Sequence, residues 1–399
     1  MIVLGIMVGY NRIVYREWSD IMAHTMKDLL QEAREYEDSL LGIETEDTSG
    51  EDLDSIPYSA DSIRITPMMY SIYQVFHWIE EEILILQPEY QRNVVWDPRR
   101  KSLLIESLML RIPIPAFYFQ EDYEGNKMVI DGLQRLSTIY AFMKDEFKLE
   151  SLQYRKEFEG CTYSQLPKKY KIRIQDTQLA VNVLDSKCNE LVKFDVFRRV
   201  NTGGIPLNAQ EIRNIMATST VRNLLQEMSK SEEFVKATRG RVKDIRMDAQ
   251  ELCLRYILFS IKYNWAEHTF KDLQSMASMM DLIVIWLNKL DIKEMKIFLF
   301  MFRNSMKRCY ALLGENAFSK ESSKHIINKP LFICWSVILG YRNVDLKLLE
   351  SKKEEAIRLH NKYFGKGEYY NAITYSTTTR KSIRLQFEAV ERILEELSL

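Results

Sequence analysis

The sequence changes its pattern near Val221, and this change constrains the fold more than any other feature. Before that residue, short apolar runs bounded by turn-forming residues alternate with segments of helical periodicity. After it, the chain is rich in Leu, Ile, Met and aromatic residues, has few turn signals and keeps helical spacing to its end. The sequence therefore predicts an α+β first part followed by an all-α second part.

An acidic segment separates a short helical stretch from the rest of the chain. Residues 20–41 place apolar side chains at helical spacing, which predicts a helix. The stretch ETEDTSGEDLDSIP, residues 44–57, is acidic and poor in apolar residues, which is typical of a linker; mimicry of nucleic acid is the alternative. We therefore predict an N-terminal helix and acidic linker in residues 1–60, an α+β domain in residues 61–220 and a helical domain in residues 221–399.

Charge and cysteine content exclude several classes of protein. The 399 residues carry a net charge of −1, so the chain is not a generally basic nucleic-acid binder, although a local basic face is compatible with this charge. The five cysteines form no CxxC pair, which argues against zinc sites and disulfide frameworks and favours a reducing cytoplasm. The opening MIVLGIMVGYN lacks a basic lead, and no apolar run reaches the length of a membrane span. We expect a cytoplasmic protein without a signal peptide or a membrane partner.

Spacing and turn residues place the first elements of the α+β part. In TPMMYSIYQVFHWIEE, helical spacing with Thr66 and Pro67 as the start signal predicts a helix. The run ILILQPEYQRNVVW predicts a buried strand that leads into a loop. DPRRKSLLIESLMLR predicts a helix with Asp97 as N-cap and Pro98 at its first position.

The next elements form a strand, a turn and a helix. IPIPAFYFQ predicts a strand whose prolines restrict it to an edge or to a strand start. A turn from Asp122 to Asn126 joins it to the strand KMVI, which leads directly to Asp131. The segment from Gln134 to Met143 predicts a helix. We assign the nearby aromatic side chains to the core: Tyr118, Phe119, Tyr140, Phe142, Phe194 and Phe197.

Three segments place arginine beside an amide at junctions between regular elements. They are PEYQRN (residues 88–93), VIDGLQRLST (residues 129–138) and FRRVNTGGIPLNAQEIRN (residues 197–214). The planar fork of arginine suits phosphate oxygens, and the glycines of the second and third segments let backbone amides approach an anion. A carboxylate among such groups suggests a bound Mg²⁺ or a base for water.

Each of the three segments also has a structural alternative. Arg92 can be a surface residue beside Trp96. Asp131 and Gly132 can form a plain turn, with Arg135 paired to Asp131. The Asn-Thr-Gly-Gly stretch can be a helix stop. Asn208 can cap the next helix with Glu211 as its capping-box partner, and this role competes directly with a ligand role for Glu211.

The three segments together resemble domain-of-unknown-function family 262 in order and spacing. That family forms the N-terminal part of GmrSD-type modification-dependent restriction enzymes and of related phage-defence proteins. The resemblance covers residues 65–214 and implies a fold similar to the ParB/sulfiredoxin domain. It also implies a DGQQR motif tied to nucleoside triphosphate binding and hydrolysis, which here reads DGLQR, with Leu133 in place of the first glutamine.

The resemblance implies a nucleoside triphosphate-binding, Mg²⁺-dependent NTPase domain of a defence system. In this reading Arg135 holds phosphate, and Gln134 positions a phosphate oxygen or the attacking water. Asp131 binds Mg²⁺ or orients an arginine, and Asp131 and Glu211 are the expected metal ligands. The expected nucleotide-binding residues are Gln91, Arg92, Gly132, Ser137, Thr138, Arg199, Asn201, Gly203, Gly204, Arg213 and Asn214.

A binding module without catalysis is the main alternative. The same residues would then sense a nucleotide or DNA, and the helical part would recruit an effector protein or a second copy of the chain. The segment KATRGRVKDIR is a local basic run whose side chains can contact a nucleic-acid backbone. The candidate contacts are Arg239, Arg241, Lys243 and Arg246.

Relatives with nuclease activity append a second domain with an HNH-type histidine site. The five histidines of this chain show no such spacing, so the resemblance is to a stand-alone member without an HNH nuclease domain. An unrecognised nuclease site stays open as a third hypothesis. The C-terminal stretch from Phe364 resembles the ends of stand-alone members, and its last helix is predicted from about Thr379.

Overall fold

A computed structural model describes residues 63–86, 96–200, 207–242, 244–270, 273–321 and 327–399. The predicted N-terminal helix and the acidic linker lie outside these residues. The described residues up to position 207 form one compact unit, which we call the sheet unit, and those from position 208 form a second, the helical unit.

The sheet unit is built on a five-stranded mixed sheet. Its elements are β1 (Ile65–Ser71), α1 (Ile72–Glu80), β2 (Leu84–Ile85), α2 (Pro98–Leu110), β3 (Phe117–Glu121), β4 (Lys127–Asp131), α3 (Leu133–Met143), α4 (Lys168–Asp176), β5 (Gln178–Leu184) and α5 (Glu190–Val200). The strand order β1-β5-β3-β4-β2 makes β3 the central strand and β1 an edge strand. The β1/β5 and β3/β4 pairs are antiparallel, whereas the β3/β5 and β2/β4 pairs are parallel. The predicted α+β class of this part is confirmed.

The apolar side chains of the sheet form a core on one of its faces. Side chains alternate between the two faces of a strand, and Phe117 and Phe119 of β3 are buried while Tyr118 between them is only half-buried. In β5, Val181 is buried while the neighbouring Asn182 is half-buried. The core continues into side chains of α1, α2, α3 and α4. The opposite face carries the half-buried Tyr118 and Asn182 together with the buried Leu184.

Local signals in the sequence fix several element ends in the sheet unit. The carboxylate of Asp97 accepts a hydrogen bond from the Arg100 amide at 2.9 Å, so α2 begins at Pro98 as predicted. The predicted turn is closed by the hydrogen bond from the Asp122 amide to the Asn126 carbonyl at 3.0 Å. This turn joins β3 and β4 as an antiparallel pair.

Two predicted elements are wrong in extent. The segment around Thr66 and Pro67 is the edge strand β1, and helix α1 begins only at Ile72, where the Ser71 hydroxyl accepts from the Gln74 amide at 3.1 Å. Proline is tolerated there because an edge strand leaves one side of its backbone unpaired. The partner strand β5 lies more than a hundred residues later, so local spacing could not reveal this pairing. The predicted buried strand is only the two-residue β2 among the described residues.

The helical unit consists mostly of helices. They are α6 (Ala209–Met216), α7 (Ser219–Lys230), α8 (Glu232–Thr238), α9 (Asp248–Lys262), α10 (Met276–Leu287), α11 (Ile292–Leu313), α12 (Lys329–Tyr341), α13 (Leu346–Ser351), α14 (Lys353–Phe364), α15 (Glu368–Ala372) and α16 (Arg380–Glu396). Helix α12 is buried from Pro330 to Gly340 and packs against α9, α11 and α16. The prediction of a helical second part is confirmed, although β6 (Tyr263–Asn264) and β7 (Thr269–Phe270) form a short hairpin.

The last helix follows its sequence pattern closely. Thr379 is the N-cap of α16, and its hydroxyl accepts from the Ser382 amide at 3.2 Å. The predicted apolar face is buried: Ile383, Phe387, Val390, Ile393, Leu394 and Leu397. None of the described helices of either unit is long and apolar enough to cross a membrane.

Candidate functional site

The chain turns at Gly132, between the end of β4 and the start of α3. Gly132 has a φ of 99°, a conformation that strains any residue with a side chain. A Cβ atom at this position would also lie 2.2 Å from Cδ1 of Phe117. Glycine is therefore required both for the turn and for the close approach of the turn to the core.

The N-terminus of α3 is open. Gly132 occupies the N-cap position and has no side chain that could accept a hydrogen bond from the amides of the first turn. The first turn contains no acidic residue. The helical ladder starts with the bond from the Leu136 amide to the Gly132 carbonyl at 2.8 Å. The amides of Leu133, Gln134 and Arg135 therefore precede the ladder. Their N–H groups and the helix dipole make this end of α3 suited to hold an anion such as phosphate.

Arg135 holds the turn against the segment before β3. Its guanidinium donates to the Pro115 carbonyl, to the Ala116 carbonyl at 3.2 Å and to the Asp131 carboxylate at 2.7 Å. It also lies 4.4 Å from the centre of the Phe117 ring, and its side chain is 12% exposed. The pairing of Arg135 with Asp131 is therefore confirmed, and the guanidinium is largely engaged by acceptors of the protein itself.

Asp131 lies half-buried beside this arginine. Burial raises the pKa of the Asp131 carboxyl above its ordinary value, and this effect outweighs the nearby charge of Arg135 and the hydrogen bond from the Gly132 amide, which both lower it. Burial likewise lowers the pKa of Arg135, against the charge of Asp131. The surroundings of Asp131 thus offset the cost of burying its negative charge only in part, and a bound cation would stabilise the carboxylate further.

The remaining residues of the motif divide between the core and the open helix end. Leu133 is buried, so the leucine that replaces a glutamine of the family motif packs into the core. Gln134 and Ser137 are half-buried. Thr138 is buried, and its hydroxyl donates to the Gln134 carbonyl at 2.7 Å, which gives it a structural role within α3. Gln134 is thus the member of this group best placed to reach a ligand at the helix end.

Helix α6, in the helical unit, has a closed N-terminus. The Asn208 side chain accepts from the Glu211 amide at 2.7 Å, and the Glu211 carboxylate accepts from the Asn208 amide at 2.7 Å. The same carboxylate accepts from Arg246 at 2.8 Å, and Glu211 is buried. The capping alternative for Glu211 is confirmed, and its predicted role as a metal ligand would require it to leave these partners.

Two further predicted ligand residues lie on the buried helix α6. The Arg213 guanidinium donates to Asp281 at 2.8 Å, and both side chains are buried. Asn214 is buried too, and among the described residues its Oδ1 has no hydrogen-bond partner. The charge of Arg213 is thus neutralised by Asp281 inside the helical unit. The side-chain carbonyl of Asn214, in contrast, accepts no hydrogen bond from the described residues.

The other predicted ligand residues make different contacts or lie outside the described residues. Arg199 is exposed at the end of α5. In the basic run, Arg239 donates to Glu315 at 3.1 Å, and Arg246 is the partner of Glu211. Arg241 is half-buried. The other predicted residues lie outside the described part of the chain: Gln91, Arg92, Asn201, Gly203, Gly204 and Lys243.

Cross-strand pairing reveals polar residues near the turn that sequence reasoning missed. Tyr118 of β3 is paired with Asp131 of β4 on one side and with Asn182 of β5 on the other. Tyr118 was predicted to lie in the core, and it is half-buried because it alternates with the buried Phe117 and Phe119. The alternation in FYFQ was the available signal, but it does not identify which strands become neighbours.

Metal-ligating groups are sparse in the part of the chain that the structure describes. There, no three or more His, Cys, Asp and Glu side chains gather closely enough to hold a metal ion. His360, the most deeply buried histidine described, accepts from the Trp335 indole and contacts the Ser319 carbonyl, which assigns it to the core. Asp131 is thus not part of such a cluster among the described residues.

Comparison with known proteins identifies the domain. Residues 72–216 match the family model described as the GmrSD restriction endonuclease, N-terminal domain. The match includes the turn at Gly132 and all of helix α6, and the resemblance predicted from the three segments is confirmed. No curated protein and no solved structure matches the chain.

Proposed function

We propose that this chain, whose residues 72–216 belong to the GmrSD N-terminal domain family, binds a nucleoside triphosphate at the turn between β4 and α3. The observation that carries the proposal is the open N-terminus of α3, which has a glycine N-cap, no side-chain cap and no acid in its first turn. Helix ends of this kind hold phosphate through backbone amides and the helix dipole. The family itself indicates a restriction-like, defence-related system.

Mg²⁺ fits this site as a companion of the nucleotide. The ion usually keeps several waters and binds through one or two carboxylates together with phosphate oxygens. Asp131 directly precedes the turn and supplies one carboxylate, whose pKa is raised by burial. A Mg²⁺ ion shared between Asp131 and the phosphates would also remove the repulsion between the carboxylate and the nucleotide.

Hydrolysis would follow from positioning and charge neutralisation. Gln134 presents a side-chain amide in the first turn of α3 and would orient the attacking water or a phosphate oxygen. Arg135 supports the turn and adds positive charge behind it. Phosphoryl transfer needs little covalent chemistry from the protein, so these residue types suffice for an NTPase.

A nucleotide or DNA sensor without turnover is the second candidate. Arg135 donates to Pro115, Ala116 and Asp131, so acceptors of the protein itself already engage the arginine of the motif. This arrangement favours binding over transition-state stabilisation, for which a free arginine is the usual device. The helical unit would then pass the signal to an effector protein or to a second copy, and the basic run at residues 236–246 would contact DNA.

The test is a thermal-shift panel of ATP, GTP, CTP and UTP with and without Mg²⁺, followed by phosphate release for any nucleotide that binds. The wild-type chain should show a nucleotide shift that Mg²⁺ enlarges, and Asp131→Asn should remove the Mg²⁺ effect. Asp176→Asn, an exposed carboxylate at the end of α4, is the matched control. Turnover would select the NTPase, binding alone would select the sensor, and no shift with any nucleotide would leave the turn as scaffold.

A further inference from the structure

The strand register aligns a row of polar side chains that begins at the proposed phosphate site. Tyr118 of β3 pairs with Asn182 of β5 in regular register. On its other side Tyr118 pairs with Asp131 of β4, next to an irregularity where the β3/β4 register shifts between Tyr118 and Phe119. Residues paired across strands share a face of the sheet, and adjacent strands lie about 4.8 Å apart. The row therefore spans about 10 Å on one face of the sheet, the size of a nucleoside.

This face is the one opposite the core. Phe117, Phe119 and Val181 point into the core and are buried, whereas Tyr118 and Asn182 are half-buried. The buried Leu184 lies on the same face, so the row is only partly accessible to solvent.

Gln120 adds an acceptor that a phosphate cannot satisfy. It lies two residues after Tyr118 on β3, so its side chain belongs to the same face. Among the described residues, its Oε1 atom is buried and has no hydrogen-bond partner. An orphaned acceptor calls for a donor, and phosphate oxygens at neutral pH offer acceptors, whereas a sugar hydroxyl or a nucleobase amino group offers donors.

We infer that the row of Tyr118, Asn182 and Gln120 is the nucleoside subsite of the nucleotide site; the inference rests on the proposed function. The phosphates would lie at the open end of α3, and the sugar and base would extend along the row from Asp131. The amide of Asn182 offers one donor and one acceptor, the pattern that reads the edge of a nucleobase. Tyr118 supplies a ring face for contact with the base.

The test compares nucleotides with inorganic triphosphate, which has the phosphates and lacks the nucleoside. Isothermal titration of the full chain should give tighter binding of the preferred nucleotide than of triphosphate. Asn182→Ala should weaken nucleotide binding about tenfold, the loss expected for one good hydrogen-bonded contact. Triphosphate binding should stay within about twofold, because the phosphate site is untouched. Asn182→Asp replaces the NH₂ donor of the side chain with a negatively charged acceptor oxygen, so it should reorder the preference among the four nucleotides.

The control is Gln178→Ala, on the same strand and the same face but four residues further from the row and exposed. Circular dichroism melts establish that each variant folds, and Tyr118→Leu, which removes the ring face, is the second variant if Asn182→Ala fails to fold. Unchanged nucleotide binding in Asn182→Ala, or equal losses for nucleotide and triphosphate, would overturn the subsite while leaving the proposed function intact. A wild-type chain that binds neither ligand would overturn both.

Discussion

Helices α3 and α6 both begin within the segment that matches the family model, but one N-terminus is open and the other is closed. At α3 the N-cap is Gly132 and no side chain caps the first turn. At α6 the Asn208 and Glu211 side chains form a capping box, which Arg246 completes. A closed helix end has its amides satisfied, whereas an open one needs water or a ligand. The difference therefore supports the proposal that the anion binds at α3, whereas the start of α6 has a structural role.

In the helical unit, two nearby cations neutralise the carboxylate of Glu251. Burial alone would raise the pKa of Glu251, but the charges of Arg255 and Lys329 hold it well below its ordinary value. Arg255 lies 2.7 Å and Lys329 3.0 Å from the carboxylate. Asp131 differs, because its pKa is raised despite an arginine partner. The charges of these two carboxylates are therefore compensated to different extents.

The largest effect is expected at the glycine that keeps α3 open. Gly132→Ala should destabilise the fold by about 4 kcal/mol, from the left-handed backbone and from overpacking against Phe117. Gly125→Ala has a similar φ of 89° and open space around its Cβ, so it should cost about 1 kcal/mol. Urea denaturation measures both losses, and equal losses would mean that the close approach to Phe117 does not constrain the turn.

Acidification should destabilise the helical unit through His360. Burial lowers the pKa of His360 to about 4 from an ordinary value of 6.5. Between these values the unfolded chain binds a proton that the folded chain refuses, so stability falls as pH drops through this window, by about 3 kcal/mol in all. Urea denaturation at pH 7 and pH 4.5 measures the loss. His360→Gln should reduce the pH dependence, and an unchanged slope in this variant would contradict the assignment.

The capping box of α6 can be compared with that of α11. Glu211→Ala removes a cap and leaves Arg246 without its carboxylate, so it should cost about 3 kcal/mol. Glu294→Ala removes the exposed capping box formed with Asp291, and it should cost about 1 kcal/mol. If thermal denaturation gives the same loss for both, the Arg246 pair contributes nothing and the closed end of α6 is an ordinary cap.

A smaller effect is expected from Arg135→Lys. Lysine keeps the charge but loses the fork that reaches Pro115 and Asp131 together, so stability should fall by about 1 kcal/mol. Because the account gives Arg135 a supporting role, nucleotide affinity should fall no more than about threefold. Arg173→Lys, which alters another arginine that donates to a backbone carbonyl, at 3.1 Å, is the control. A loss of binding at unchanged stability would restore Arg135 as a direct phosphate ligand.

Local signals predicted much of the fold and the position of the turn. The Asp97 cap, the Asp122 turn and the Thr379 cap each depend on a few neighbouring residues, and each lies where the sequence places it. The turn at Gly132 could be predicted as well, because an apolar run, an Asp-Gly pair and a helical segment follow each other directly.

Features that depend on distant partners could not be predicted. Strand β1 resembled a helix start because its partner β5 is remote in sequence. The same limit hid the row of Tyr118 and Asn182, which exists only because β3 lies between β4 and β5. The competing roles of Glu211 were resolved by Arg246, a partner 35 residues away.

The most direct test introduces a negative charge at the open N-terminus of α3 by replacing the side-chain amide of Gln134 with a carboxylate. Gln134→Glu keeps the size of the side chain and places a carboxylate in the first turn, where it stabilises the helix dipole and repels phosphate. Isothermal titration with the preferred nucleotide should show at least a tenfold loss of affinity, with an unchanged or higher melting temperature, while Gln226→Glu on the exposed face of α7 binds as the wild type does. Unchanged nucleotide affinity in Gln134→Glu would contradict the claim that the N-terminus of α3 holds the phosphates.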